Sequence, residues 1–316
     1  MHPAKSVIFF TTASGAGYGL LALLIAGNIL GLIPGDFWMA FCGYAISYVL
    51  ITGGLLSSTF HLGHPERAWR ALTQWRSSWL SREGVMAILT FIPTGLYALH
   101  QLFFPEMMEG IMGLLGVIGV ICCIVTVYCT AMIYASLKPV HAWSNRYVPT
   151  GYLLLALLSG LLLLNGLLAI WGYAAGSLQL VTLLTLAIGL IWKITYWRFL
   201  DGSKSISTPE SATGLGEFGS VRLFEAPHTE ANYLMKEMGF KIARKHSAKL
   251  RFITLMAAFV APILLIFISL FLGPVGAGVF LILAVFSAAI GLVTERWLFF
   301  AEARHTVGLY YGASHA

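Results

Sequence analysis

Apolar runs dominate this chain and recur along its whole length. Eight of them, roughly 7–33, 38–60, 84–104, 109–136, 148–173, 178–199, 249–273 and 276–300, are predominantly apolar, and each reaches the ~20 residues that a helix needs to cross a hydrocarbon core about 30 Å thick. The runs are continuous, without the apolar–polar alternation over about ten residues that marks a barrel strand. A helix also pairs its backbone amides within its own segment, as lipid requires. The pattern predicts an all-α membrane protein, an eight transmembrane helix bundle forming a single integral membrane domain over 1–316. The first run follows Lys5 and resembles a signal peptide in that respect. Its length of about 27 residues and the lack of a small-residue cleavage site read instead as the first spanning helix.

The polar residues between the runs are unevenly placed. All 19 Lys and Arg residues fall on one side. Lys5 lies in the N-terminal tail, Arg67, Arg70, Arg76 and Arg82 in the second connection, and Lys138 and Arg146 in the fourth. The sixth, residues 200–248, and its edges hold Lys204, Arg222, Lys236, Lys241, Arg244, Lys245, Lys249 and Arg251; Arg296 and Arg304 lie at the C-terminal end. Lys193 and Arg198 lie near the sixth-loop end of helix six, where long side chains snorkel to the interface. The odd connections (33–37, 105–108, 174–177, 273–275) have no basic residue and carry Asp36 and Glu106. The positive-inside rule makes the basic face cytoplasmic, with both termini inside. The excess of basic residues is the ordinary signature of cytoplasmic loops, so no nucleic acid is expected as partner. In the sixth connection, DGSKSISTPESATGLGEFGS is Gly/Ser-rich and reads as irregular. HTEANYLMKEMGFKIARKHSAKLR reads as an amphipathic helix with Tyr233, Leu234, Met238 and Ile242 on one stripe, lying on the membrane or against a partner subunit.

Composition sharpens the class. Residues are 58% hydrophobic and 10% charged, against about 25% charged in a soluble domain. Cys42, Cys122, Cys123 and Cys129 all fall inside predicted spans with no cluster-type spacing. They read as small buried side chains, and no iron–sulfur cluster is expected in this chain. The chemistry gathers in FHLGHPERAWRALTQWRSSWLSREG, residues 60–84. His61 and His64 end helix two, where Pro65 stops it. ERAWRALTQW has helical spacing and reads as a short interfacial helix, and Trp75 and Trp79 fit an aromatic belt. Arg82 and Glu83 open helix three, so His61 and Glu83 come from adjacent helices at the same membrane depth, just below the interface. Metal binding would ask for three or four ligands, and no metal site is assigned. Haem b would ask for axial histidines, and none lies at mid-membrane. A transporter would show charges at mid-depth, where only Asn28 and Asn165 stand. The remaining readings are a basic interfacial connection, or proton-coupled quinone chemistry. Quinone chemistry needs groups that exchange protons at headgroup depth, which a histidine starting near ~6.5 and a carboxylic acid supply.

This stretch and three others carry a resemblance. HLGHPERA (61–68) with LSREG (80–84), MIYASLKPVHAWSNRYVPTGYL (132–153) and ERWLFFAEARHTVG (295–308) are similar to the dimethyl sulfoxide reductase anchor family, and SGAGYG (14–19) fits it. The resemblance extends over essentially the whole chain. It implies an anchor that holds a molybdopterin catalytic subunit and a ferredoxin-type iron–sulfur subunit and exchanges electrons with a quinone, menaquinone or ubiquinone. His61 and Glu83 match the family's quinone-site histidine and glutamate, and are the residues expected to act on the proton. Tyr134, Thr12, Ser14, Tyr18 and Glu295 are added as pocket candidates from their depth. SGAGYG equally suits close helix packing, and Glu295 equally suits a salt bridge to an arginine. Arg67, Arg70, Arg76 and Arg146 are expected to dock the partner. The basic, cytoplasm-facing second loop and the long sixth one are nearest to the family members whose partners stay in the cytoplasm, which oxidise sulfite to sulfate. An anchor oxidising quinol for a dimethyl sulfoxide or other terminal reductase, a haem-bearing cytochrome b subunit and a transporter are the alternatives.

Overall fold

The computed structural model describes residues 5–59, 64–105, 109–203, 207–225 and 245–313. Helices α1 (Lys5–Ile29), α2 (Phe37–Thr59), α3 (Trp79–Phe103), α4 (Glu109–Ala135), α5 (Tyr147–Ile170) and α6 (Gly176–Gly202) come first. The short α7 (Pro209–Thr213) follows, then α8 (Ser247–Ser269) and α9 (Pro274–Ala301). Eight of these, all but α7, are long and apolar enough to cross a membrane. With no strand among the described residues, the chain is an all-α, multi-pass membrane bundle.

Helix ends follow local chemistry. Ser78 caps α3 by accepting the Ser81 N–H at 3.5 Å, so α3 starts at Trp79, ahead of the apolar run at 84. Arg82 and Glu83 therefore sit inside its first two turns. Within α8, Met256–Val260 forms a π turn just before Pro262. Proline lacks an N–H and crowds the carbonyl four residues back, and a wider turn accommodates that mismatch. The short interfacial helix expected over ERAWRALTQW (66–75) is present as a 3-10 helix, Pro65–Gln74. Arg82 holds the loop that follows, donating to the carbonyls of Trp75 (2.9 Å) and Arg76 (2.7 Å) and stacking on Trp79 at 4.2 Å. The expected amphipathic helix of the sixth connection falls mainly on 226–244, outside the described residues.

Helix α1 is the centre of the bundle, packed against α2 on one side and α5 on the other. The contacts are backbone to backbone. A Cβ added to Gly19 would stand 2.0 Å from the Ala156 carbonyl oxygen, and one on Gly160 2.4 Å from the Gly19 carbonyl carbon. On α2, a Cβ added to Gly54 would stand 2.9 Å from the Ser14 amide nitrogen. Gly17 and Gly19 of SGAGYG thus serve close packing, whereas nothing lies within 4 Å of a Cβ built on Gly15. Because the obstacle at Gly19 is a carbonyl and not a flexible side chain, Gly19→Ala must push α1 and α5 apart. We expect a loss of about 1–3 kcal/mol or more, read as a lower melting midpoint of the detergent-solubilised protein; an unchanged midpoint would contradict this crossing. The isolated amides also tie helices together, though the structure places Asn28 one residue from the end of α1 and not at mid-span: Asn165 donates to Thr182 at 2.8 Å and Asn28 accepts from Tyr97 at 2.6 Å.

Candidate functional site

A polar cleft of about 450 Å³ opens between α1, α4, α5 and α9. Its α1 wall is Thr11, Thr12 and Ser14, and Thr130, Tyr152, Ser159, Glu295 and Arg296 come from the other helices. Small hydroxyls tolerate this setting because each donates to a carbonyl of its own helix. Thr12 bonds Ile8 at 2.8 Å, Ser14 bonds Phe10 at 2.6 Å and Ser159 bonds Leu155 at 2.8 Å. The donors are thereby spent, and oxygen lone pairs remain to accept from a guest. Thr130, Tyr152 and Arg296 each lie about 8 Å of helix rise from the nearby end of α4, α5 or α9, so the cleft sits just below the face that carries the basic loops.

Glu83 stands behind this wall. It is 4% exposed, and its carboxylate accepts a hydrogen bond from the Thr130 hydroxyl, which itself lines the cleft. One turn deeper on α4 and about two turns deeper on α3, Thr126 and Thr90 repeat the α3–α4 link at 3.0 Å. A carboxyl with one hydroxyl between it and the cleft is well placed to exchange protons with a guest while remaining shielded from lipid.

The opposite wall is ionic. Glu295 is 1% exposed, Lys193 1% and Arg296 5%. The Lys193 ammonium donates to Glu295 Oε1, and Arg296 Nη2 lies 3.2 Å from Oε2. Aromatic faces surround both cations: Tyr196 and Trp197 are each 4.7 Å from the ammonium, and Tyr152 is 4.1 Å from the guanidinium. The expectation that Lys193 snorkels to the interface is overturned. It lies about 13 Å of helix from the end of α6, and a buried carboxylate and ring faces satisfy it inside the bundle, where an unpaired charge would be costly.

Thr12, Ser14 and Glu295 line the cleft. Tyr134 does not. Its ring stacks on Tyr152 at 5.9 Å and meets Trp143, Phe299 and Phe300 edge-on, so it supports the wall from behind. Tyr18 lines a neighbouring hollow. His61 lies outside the described residues. Helix α2 approaches the first turn of α1 just before it, where Ser57 donates to the Ser6 carbonyl at 2.9 Å. Arg67, Arg70, Arg76 and Arg146 are exposed on the connecting loops. His64 pairs with Glu66 at 3.0 Å, and His305 caps the last 3-10 turn by accepting from Val307 at 3.0 Å, its pKa lowered by burial. Among the described residues no three His, Cys, Asp or Glu side chains converge on a point.

The family model for the DMSO reductase anchor subunit (DmsC) matches residues 1–312. This chain belongs to the DMSO reductase anchor subunit family. It is a membrane anchor of an oxidoreductase complex. A sulfite dehydrogenase subunit from Allochromatium vinosum is 33% identical over 332 aligned residues, which cover 98% of this chain and 99% of that protein. In this anchor, sequence reading missed Thr130, Lys193 and Arg296 as parts of one site. Intramembrane ionisable residues are a functional signal by default, and the depth of Lys193 along its helix was the sign available.

Proposed function

We propose that this anchor is the quinone-reactive subunit of a molybdopterin and iron–sulfur oxidoreductase complex, passing electrons from a ferredoxin-type iron–sulfur subunit to the quinone pool as sulfite is oxidised to sulfate. The observation that carries the reading is the polar cleft with a buried carboxyl, Glu83, behind its wall, set just beneath the loops that bear Arg67, Arg70, Arg76 and Arg146. The full-length similarity to a sulfite dehydrogenase subunit supports sulfite as the electron source. Sulfite yields two electrons, and a quinone, menaquinone or ubiquinone, takes two electrons and two protons to become quinol. His61 hydrogen-bonds a ring oxygen and exchanges its proton. Glu83 carries protons between Thr130 at the wall and the basic face. Thr12, Ser14 and Glu295 bound the ring, Tyr134 steadies Tyr152, and Arg296 offers positive charge to the oxygen that gains electron density. Molybdenum chemistry and the iron–sulfur clusters belong to partner chains, and haem b has no part in this scheme. The family's own name favours a second reading, an anchor that oxidises quinol for a terminal reductase, with the same groups working in the opposite direction.

The orientation follows from the basic residues, and reporter fusions check it. Alkaline phosphatase joined after Asp36 should be active, and joined within 207–225 inactive. The reverse pattern would remove both the cytoplasmic assignment of the termini and the sulfite reading built on it.

Docking and function are tested together. An exposed charge pair contributes little alone, so Arg67, Arg70 and Arg76 are best reversed to Glu at once. The soluble subunits should then leave the membrane, and sulfite should still reduce an artificial dye but no longer reduce quinone. Subunits that stay bound with full quinone activity would show that docking lies elsewhere.

A further inference from the structure

Along α1, α4 and α5 the polar cleft continues into a second hollow of about 560 Å³. The two share Val127 and Ala156. The cleft takes its α1 wall from Thr11 to Ala16, whereas the hollow takes it from Tyr18, Gly19, Ala22, Leu23 and Ala26. On α4 the wall moves likewise, from Val127 and Thr130 to Val120, Cys123 and Ile124. The two spaces are therefore consecutive along the same helices, polar toward the basic face and apolar toward the bilayer centre. Tyr18 stands on the stretch of α1 where one passes into the other. It is 2% exposed, and its hydroxyl has no hydrogen-bond partner among the described residues. A buried hydroxyl left unpaired is costly, and an apolar void forfeits dispersion contacts on its open side. One guest with a hydrogen-bond acceptor on its head and a hydrocarbon tail relieves both.

We propose that the hollow holds the isoprenoid tail of the quinone, with the ring in the polar cleft toward the basic face and the Tyr18 hydroxyl donating to a ring oxygen where the two spaces meet. This inference rests on the quinone reading above. From Tyr18 to Ala26 the hollow follows roughly 12 Å of helix at ~1.5 Å per residue, enough to carry a chain from headgroup depth toward the middle of a ~30 Å core. Ala22 and Ala26, both half-buried, keep the passage wide. A phospholipid acyl chain would fill the apolar space, but its ester oxygens stay at the interface and bring no acceptor to Tyr18.

The purified complex, reduced by its soluble substrate, separates these occupants. With Ala22→Phe or Ala26→Phe, the ratio of turnover with a long-chain quinone to turnover with a short-chain analogue should fall about tenfold or more, the scale on which a filled apolar pocket discriminates. The long-chain quinone extracted from the purified complex should fall with it. Val49→Phe, on the exposed side of α2, should keep the wild-type ratio. Tyr18→Phe should raise the KM for both quinones together, since it touches the ring. If neither alanine variant moves the ratio or the bound quinone, the tail does not lie here and the hollow holds lipid. Ala22→Val is the smaller step should the larger variants fail to assemble, and it should move the ratio in the same direction. A wild-type complex that reduces neither quinone would defeat the quinone reading itself, an outcome distinct from an unmoved ratio.

Discussion

Glu83→Gln is expected to slow electron exchange with quinone by about 10²–10⁴-fold, the usual contribution of a positioned proton-transfer group. Gln keeps an acceptor for the Thr130 hydroxyl and nearly the same volume, so the α3–α4 contact should survive. What it cannot do is bind and release a proton at neutral pH. The complex should therefore assemble and still oxidise its soluble substrate with an artificial dye, while quinone reduction is lost. His61→Ala should give the same split between dye and quinone. Thr130→Val tests the connection itself: it leaves the carboxyl in place but removes the one hydroxyl observed between it and the cleft, and should also slow quinone turnover selectively. Wild-type quinone rates in Glu83→Gln would remove Glu83 from the proton path.

The second large effect is on stability. Glu295→Ala should destabilise the anchor by about 3–5 kcal/mol, the typical cost of leaving buried charges without their partner. Glu295 is the anion shared by Lys193 and Arg296, so its loss leaves two cations facing each other in a site almost closed to solvent. The chain should accumulate poorly in membranes, and whatever is purified should melt well below wild type. Lys193→Met should be milder, because Glu295 and Arg296 still form a neutral pair and the methionine fills most of the lysine's space beside Trp197 and Tyr196. Lys193→Met combined with Glu295→Ala should recover part of the loss, since one cation then remains in place of two. Thermal midpoints of the three variants decide the point; a Glu295→Ala protein as stable as wild type would mean that the triad is hydrated in the membrane.

Much of the architecture was legible in the sequence because the bilayer imposes it. A hydrocarbon core admits backbone only in long, internally bonded segments, so eight apolar runs imply eight helices, and the observed spans depart from the runs chiefly at their ends. The start of α3 was set by a single residue, Ser78, and the π turn inside α8 by Pro262, local bonding that apolarity does not report. Glu83 and His61 were singled out from their place between two runs and from the family resemblance; of the two, only Glu83 falls among the described residues. The cleft itself was not legible in the sequence. These helices are apolar all round, and lipid and bundle interior are equally apolar, so no stripe tells which face points inward. That choice was made by tertiary packing. Gly19 meeting the Ala156 carbonyl turns Thr12 and Ser14 into the cleft. Thr130 reaches Glu83 from 47 positions away, and Lys193 pairs with Glu295 across 102, because the alternative for a charge at that depth is lipid. The sequence by itself determined that this chain spans a membrane eight times with its basic loops on one face, since length and charge are read by the bilayer one segment at a time. Only the tertiary structure decided which polar groups share a site, since each of those groups finds its partner on a different helix.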